Sequence, residues 1–144
     1  MIDCHVTIVG DDVDTFEQKV RGYCQQYSSD LHEPLPECFC FNSLYPIPEK
    51  VLARKRCSDP SWEEQHWGCN GAWYSTLDEK TPENLIYFFQ TKSVPAKWFR
   101  KVSRDYPDLV FHLDFEEEET FEKGSLIFEN GLVIDTTENS IGSS

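Results

Sequence analysis

The chain has 144 residues, the size of one domain, and 39% of them are hydrophobic, which is enough to form a core. It has 13 Lys and Arg against 26 Asp and Glu, and the resulting formal net charge of −13 opposes direct binding to nucleic acid. No segment reaches the ~18 consecutive apolar residues of a membrane span, and the N-terminus shows no export signal. We therefore expect a cytosolic protein with no membrane partner, whose six cysteines are reduced thiols.

The first quarter of the chain predicts a strand followed by a helix. In "IDCHVTIVG", apolar side chains alternate with polar ones, which predicts a strand with one buried face. Asp12 is a suitable N-cap for a helix that runs to about Gln26. The apolar positions of this helix recur at steps of three and four: Val13, Phe16, Val20, Tyr23, Cys24 and Tyr27.

Residues 28–74 are predicted to form an irregular insertion, because four prolines between residues 28 and 52 exclude a long regular element. A short strand fits around Cys38 to Phe41, and a short helix through Val51 and Leu52 is expected after Pro48. The segment "SWEEQHWG" has a Ser cap, acidic residues in its first turn and a terminal glycine, which are typical of a two-turn helix. This helix would place Trp62 and His66 on one side.

The second half predicts a strand, a helix and two more strands. The apolar run from Asn84 to Thr91 is typical of a central strand covered on both faces. "PAKWFRKVSRDYP" places Trp98, Phe99, Val102 and Tyr106 on one helical stripe. "LVFHLDF" and "FEKGSLIFENG" predict two strands on either side of the acidic run Glu116 to Glu119. Residues 132–144 are predicted to be a flexible tail.

This order of elements favours an α+β class. Two amphipathic helices suit one face of an antiparallel sheet in a ferredoxin-like arrangement, with the Trp-rich insertion added to it. Residues 1–131 would form this single domain. The periodicity predicts the class and leaves the strand order open.

Metal binding and catalysis are each weighed against ordinary core packing. Cys38 and Cys40, and His66 and Cys69, have spacings that could belong to a zinc site, but neither pair has a matching second pair. Cys69 as a nucleophile would lie after the C-terminus of a helix, the wrong end to lower a thiol pKa. The usual catalytic motifs are missing from the sequence. We therefore expect no metal, no cofactor and no enzymatic activity.

Two groups of residues are candidates for binding. The tryptophans of "SWEEQHWGCNGAWY" could either pack inward as a lid on the sheet or present aromatic anchors at an interface. The four consecutive glutamates would be a solvated tip that attracts a basic partner. The candidate contact residues are Trp62, Trp67, Asn70, Trp73, Glu116, Glu117, Glu118 and Glu119.

Several short segments, in order, resemble a known family. They contain the following residues: Cys4, Ile8 and Gly10; Phe41, Asn42, Pro46 and Pro48; Trp67 and Gly68; Phe89, Thr91, Pro95 and Trp98; and Pro107, Leu109, Phe111 and Leu113. On these residues the chain resembles the YubB-type ferredoxin-like family of phage and plasmid proteins over most of residues 3–131. Cys69 and Asn70 stand where the family has Thr and Lys. The resemblance implies the ferredoxin-like fold and an origin on a mobile element.

Two functions follow as hypotheses. The first is a non-enzymatic phage or plasmid protein that inhibits a defence system, of anti-CRISPR or anti-restriction type, by binding a host protein such as a basic nucleic-acid-binding one. The second is a small-molecule or nucleotide-binding domain with a pocket between the sheet and the Trp-rich segment.

Overall fold

A computed structural model describes residues 1–24, 35–50 and 60–135 of the chain. This part of the chain contains eight strands and four helices. The strands are β1 (Ile2–Val9), β2 (Gly22–Cys24), β3 (Leu35–Glu37), β4 (Trp73–Lys80), β5 (Asn84–Thr91), β6 (Val110–Glu117), β7 (Lys123–Glu129) and β8 (Leu132–Asp135). The helices are α1 (Val13–Val20), α2 (Phe41–Leu44), α3 (Pro60–His66) and α4 (Ala96–Asp105). Among these described residues, no helix is long and apolar enough to cross a membrane.

Six strands form one antiparallel sheet in the order β4-β5-β1-β6-β7-β8, while β2 and β3 pair separately. β1 lies at the centre and pairs with β5 on one side and β6 on the other. The α+β class predicted from the sequence is confirmed, and the structure supplies the strand order that periodicity left open.

The core lies on one face of this sheet. Alternate residues of β1 are buried there, and their neighbours on β5 and β6 are buried with them: Cys4 beside Phe89, Val6 beside Tyr87 and Leu113, and Ile8 beside Leu85 and Phe111. Both long helices cover this face. Phe16 of α1 contacts the Phe111 ring at a centroid distance of 5.4 Å, and Phe99 of α4 stacks on Phe128 at 5.4 Å.

The opposite face of the sheet, which we call the open face, has no helix of the described residues on it. The prediction that β5 is covered on both sides is wrong, because Ile86, Phe88 and Gln90 are only half-buried. His5 and Val9 of β1 are exposed on the same face, and so is Ile134 of β8. The apolar run in β5 thus reflects its central position and not a second layer of helices.

Helix α1 is shorter than the predicted segment to about Gln26. Asp12 caps it through Thr15, as expected, but the helix ends at Val20 and residues 22–24 form β2. The cause is Gly22, where an added Cβ would lie 2.5 Å from Ser43 Oγ and 2.8 Å from Cys40 Sγ. The chain turns out of the helix so that its backbone can pass close to the start of α2. Tyr27 lies outside the described residues.

The described part of the insertion contains two short helices. The strand expected around Cys38 to Phe41 is wrong: β3 covers residues 35–37, and Phe41 begins α2. α3 is the predicted two-turn helix and stops just before the Trp67–Gly68 pair, but it begins at Pro60, so Ser61 lies inside the helix and the predicted Ser cap is wrong. The helix predicted through Val51 and Leu52 lies outside the described residues.

Two indole groups hold α2 against the rest of the core. Trp67 Nε1 donates to the carbonyl oxygen of Tyr45 at 2.9 Å, and Trp98 Nε1 donates to that of Phe41 at 2.9 Å. The Trp98 backbone N–H also donates to the carbonyl of Trp67 at 3.1 Å. The Phe41 carbonyl also accepts from the Tyr45 backbone N–H at 3.1 Å, so the Trp98 indole adds a second bond to it. The bond from Trp67 gives the Tyr45 carbonyl, at the C-terminal end of this short helix, a partner.

Two edge strands were not predicted. β4 pairs with β5, and bulges interrupt its register between Trp73 and Thr76 and again between Leu77 and Glu79. β8 pairs with β7 and occupies residues 132–135, the start of the predicted tail. The sheet therefore extends beyond the expected boundary at residue 131, and residues 136–144 lie outside the described part.

A buried carboxylate links α1 to the sheet and makes stability depend on pH. Arg21 donates to both oxygens of Glu17, at 2.5 and 2.6 Å, and Lys80 of β4 donates at 3.2 Å. Only 3% of the Glu17 side chain is exposed. The bond from Arg21 is the main cause that holds the pKa of Glu17 below its ordinary value of 4.5.

We expect Glu17→Gln to lower the free energy of unfolding by about 2 kcal/mol at pH 7. Because the folded pKa is depressed, this contribution is present above pH 4.5 and lost as the pH falls through the folded value. Urea unfolding from pH 7 to pH 3 should therefore show the difference from wild type shrinking. Asp14→Asn removes an exposed partner of Lys80 and serves as the control with little effect. A Glu17→Gln difference that stays constant with pH would contradict the account.

Candidate functional site

Acidic side chains collect at one end of the open face, where five strands bring one residue each into a row. Asp3 of β1 lies opposite Gln90 of β5 and Glu116 of β6, Gln90 lies opposite Trp73 of β4, and Glu116 lies opposite Lys123 of β7. Strands in a sheet are spaced about 4.8 Å apart, so Trp73 and Glu116 are about 14 Å from each other. Trp73 and Glu116, which were predicted as parts of separate groups, therefore share one surface, whereas Glu117 pairs with Ile2 and lies on the opposite face.

Gln90 connects this row to the β6–β7 hairpin. Its Nε2 donates to Asp3 Oδ1 at 2.8 Å and to Glu118 Oε1 at 2.6 Å. Because the amide is neutral, it holds the two carboxylates in place without cancelling their charge. Lys123 is the cation nearest Glu116 in the row, at 3.8 Å between Nζ and Oε1. Asp3, Glu116 and Glu118 are hereafter called the acidic end.

The tip of the hairpin adds an aromatic residue that the sequence analysis missed. Phe121 is 72% exposed and has a φ of 59°, a left-handed conformation that is costly for a side chain of this size. The turn is fixed by backbone bonds from Phe121 N to Glu117 O and from Glu117 N to Glu122 O, each 2.8 Å. An apolar residue between acidic ones in "EEEETFEK" was the available signal.

The other candidate tryptophans belong to the helix-covered side. Trp67 is 4% exposed and packs edge to face against Phe41 and Trp62, at centroid distances of 5.7 and 5.8 Å. Trp62 is half-buried and stacks on His66 at 4.2 Å, so these two share a side of α3 as predicted. Asn70 Nδ2 donates to the buried Glu63 at 3.4 Å. This part of the segment is a lid on the core, and Trp67 is not placed to touch a partner.

The cysteine and histidine candidates are placed for packing. Burial raises the pKa of the Cys69 thiol, and it raises that of Cys4 to about 12, so neither is readily ionised. His66 Nδ1 lies 2.9 Å from the Trp62 carbonyl oxygen. Across residues 1–24, 35–50 and 60–135, no cluster of three His, Cys, Asp or Glu side chains could hold a metal ion.

One group on the open face looks like a hydrolytic site but has a different order. Ser125 Oγ donates to Asp114 Oδ1 at 2.5 Å, and the same oxygen lies 3.5 Å from His112 Nε2. In a nucleophile relay the histidine stands between hydroxyl and carboxylate, where it removes the proton from the hydroxyl. Here the aspartate stands in the middle, so this arrangement does not activate Ser125.

An antiparallel sheet whose described helices lie on one face defines the chain as a small α+β domain of the ferredoxin-like class. The chain belongs to the family described as the ferredoxin-like domain in Api92-like protein, whose sequence model matches residues 68–144, more than half of the chain. The matched region includes β4 to β8 and α4. The predicted ferredoxin-like fold is confirmed. No curated protein and no solved structure matches the chain.

The lid role of Trp67 can be separated from a contact role by stability measurements. We expect Trp67→Ala to lower the free energy of unfolding by about 3–5 kcal/mol, because it leaves a cavity in the core. Trp67→Phe, the milder change, should cost about 1–3 kcal/mol because the Tyr45 carbonyl loses its donor. Trp73 is half-buried and not in the core cluster, so Trp73→Ala should cost less than Trp67→Ala. Urea unfolding with Trp67→Phe as stable as wild type would contradict this assignment.

Proposed function

We propose that the chain is a non-enzymatic interaction protein that binds a basic host protein through the acidic end of its open face. The observation that carries this proposal is the row formed by Trp73, Gln90, Asp3 and Glu116, with Glu118 bonded to Gln90. It combines negative charge with an aromatic residue at its margin, and Phe121 projects beside it. Protein interfaces commonly use such aromatic anchors within a surface of complementary charge.

The distribution of the cations supports this choice of surface. Helix α4, on the helix-covered side of the sheet, carries four basic residues. One of them, Lys101, forms an ion pair with Asp105 at 2.5 Å, and its Nζ lies 5.1 Å from the centroid of the Tyr45 ring. The remaining three are Lys97, Arg100 and Arg104. Because α4 is basic and the hairpin is acidic, a basic partner would be steered toward the hairpin and away from α4.

The finer identity is also a proposal. The resemblance to the YubB-type family supports an origin on a phage or plasmid and action in the host cytosol. A protein that binds nucleic acid exposes a basic groove, and an acidic surface of this kind could occupy that groove in place of the phosphates. We therefore propose that the chain inhibits a host defence nuclease and is of the anti-CRISPR or anti-restriction type.

The alternative, a small-molecule or nucleotide site between sheet and Trp-rich segment, has less support. Trp67, Cys69 and Ala72 of that segment are all buried in the main core cluster, so this part of it packs directly on the core. A thermal-shift screen with nucleotides and metal ions would favour the alternative if a ligand raised the melting temperature clearly.

Charge reversal tests the proposed surface. We expect the triple variant Asp3→Lys, Glu116→Lys, Glu118→Lys to weaken binding to a captured and purified host protein by more than about 100-fold, because several attractive pairs become repulsive. Binding of the wild type should also weaken as salt is raised. Titration calorimetry at two salt concentrations measures both effects.

The matched control reverses three exposed carboxylates at the opposite end of the sheet: Glu79→Lys, Glu83→Lys, Glu129→Lys. Both triple variants change the formal charge equally, so a role of net charge alone predicts equal losses. Circular dichroism should show the same fold for both variants. Binding that survives reversal of the acidic end, or is lost equally in the control, would overturn the proposal.

A further inference from the structure

A pocket of about 520 Å³ lies at the foot of the acidic hairpin, on the helix-covered side of the sheet. Ile2 and Glu117, which are register partners, face into it together with Val94 from the loop before α4 and Phe115 of β6. Glu119 and Glu122 of the hairpin complete its rim. The pocket therefore has an apolar floor and a rim of three carboxylates, and it has room for a long side chain with its adjoining backbone.

The floor is shaped by a close contact between Phe115 and Gly124. These residues are register partners, and a Cβ added at Gly124 would lie 2.2 Å from Phe115 Cζ. The absence of a side chain at Gly124 lets the aromatic ring lie over the backbone of β7. Phe115 remains half-buried in this position and lines the pocket.

The rim has more negative charge than its neighbours neutralise. In the described part of the chain, neither Glu119 nor Glu122 forms an ion pair, and Glu117 lies 3.6 Å from the amino nitrogen of Met1. Lys123, the next cation along the hairpin, is directed to Glu116 on the open face. A pocket with three carboxylates around an apolar floor favours a cation that can also make apolar contacts.

We propose that this pocket binds an arginine side chain of the partner protein. A guanidinium group is planar and weakly hydrated, so it can lie on the Phe115 ring while its edges donate to two rim carboxylates at once. Lysine is a compact, strongly hydrated charge and makes neither contact as well. The inference rests on the proposed function, since it names the chemistry of the basic partner beside the acidic end.

The test uses the complete chain and a defined probe. Amide NMR spectra are recorded during titration with N-acetyl-arginine methylamide and, separately, with the corresponding lysine compound at low salt. We expect the arginine probe to shift the signals of Val94, Phe115, Thr120 and Glu122 saturably, and to bind at least about threefold more tightly than lysine. The double variant Glu119→Gln, Glu122→Gln should weaken binding by about tenfold.

Two further variants keep the result interpretable. Glu79→Gln, Glu83→Gln removes the same number of charges at the far end of the sheet and should leave arginine binding unchanged. Phe115→Leu keeps the floor apolar and should erase the preference for arginine over lysine. Equal shifts with both probes, spread over the acidic surface, would overturn the pocket, as would shifts that persist in the rim variant.

The result separates this inference from the function on which it rests. If charge reversal of the acidic end abolishes partner binding but the arginine probe leaves the pocket signals unmoved, the function stands and the pocket assignment fails. If the probe binds as expected but partner binding survives the charge reversal, the pocket binds an arginine side chain, but the proposed contact surface is wrong.

Discussion

One-sided packing of the sheet is the constraint on which the rest of the structure depends. Both long helices and the lid of the insertion lie on the same face. Trp67 of the lid donates to the carbonyl of Tyr45, directly after α2, and Trp98 of α4 donates to that of Phe41 in α2. Burying these large aromatic side chains removes apolar surface from water and so stabilises this arrangement. The helices and the lid are thereby committed to one side, and the other face of the sheet is left open.

The open face acquires its chemistry from strand register. Residues 3, 73, 90 and 116 are far apart in sequence and meet only because β4, β5, β1 and β6 pair as they do. A slip of one residue would turn each side chain to the opposite face. Burial of Cys4, Val6 and Ile8 on the core side therefore fixes the position of Asp3 on the other, so core packing and the acidic surface are coupled.

Periodicity predicted the elements that bury a regular stripe, such as β1, α4 and β6. It failed where a long-range contact decides the local structure. α1 ends before Gly22 because α2 passes close to that residue, and α2 itself is held by Trp98, which is far from it in sequence. β4 was missed because its sequence, WYSTLDEK, is mostly polar beyond its first two residues and none of its residues is fully buried. Of the site, the glutamates were visible in the sequence, whereas Phe121 and the placement of Trp73 beside them needed the hairpin and the register.

The central claim is that the open face at its acidic end, and not the Trp-rich lid, is the contact surface. Amide hydrogen exchange, measured on the chain alone and in complex with the captured host protein, tests it most directly. The account predicts new protection in residues 115–123 and in the first residues of β1 and β4, with α1 and α3 unchanged. Protection confined to α3 and the lid, with the hairpin exchanging as freely as before, would contradict it.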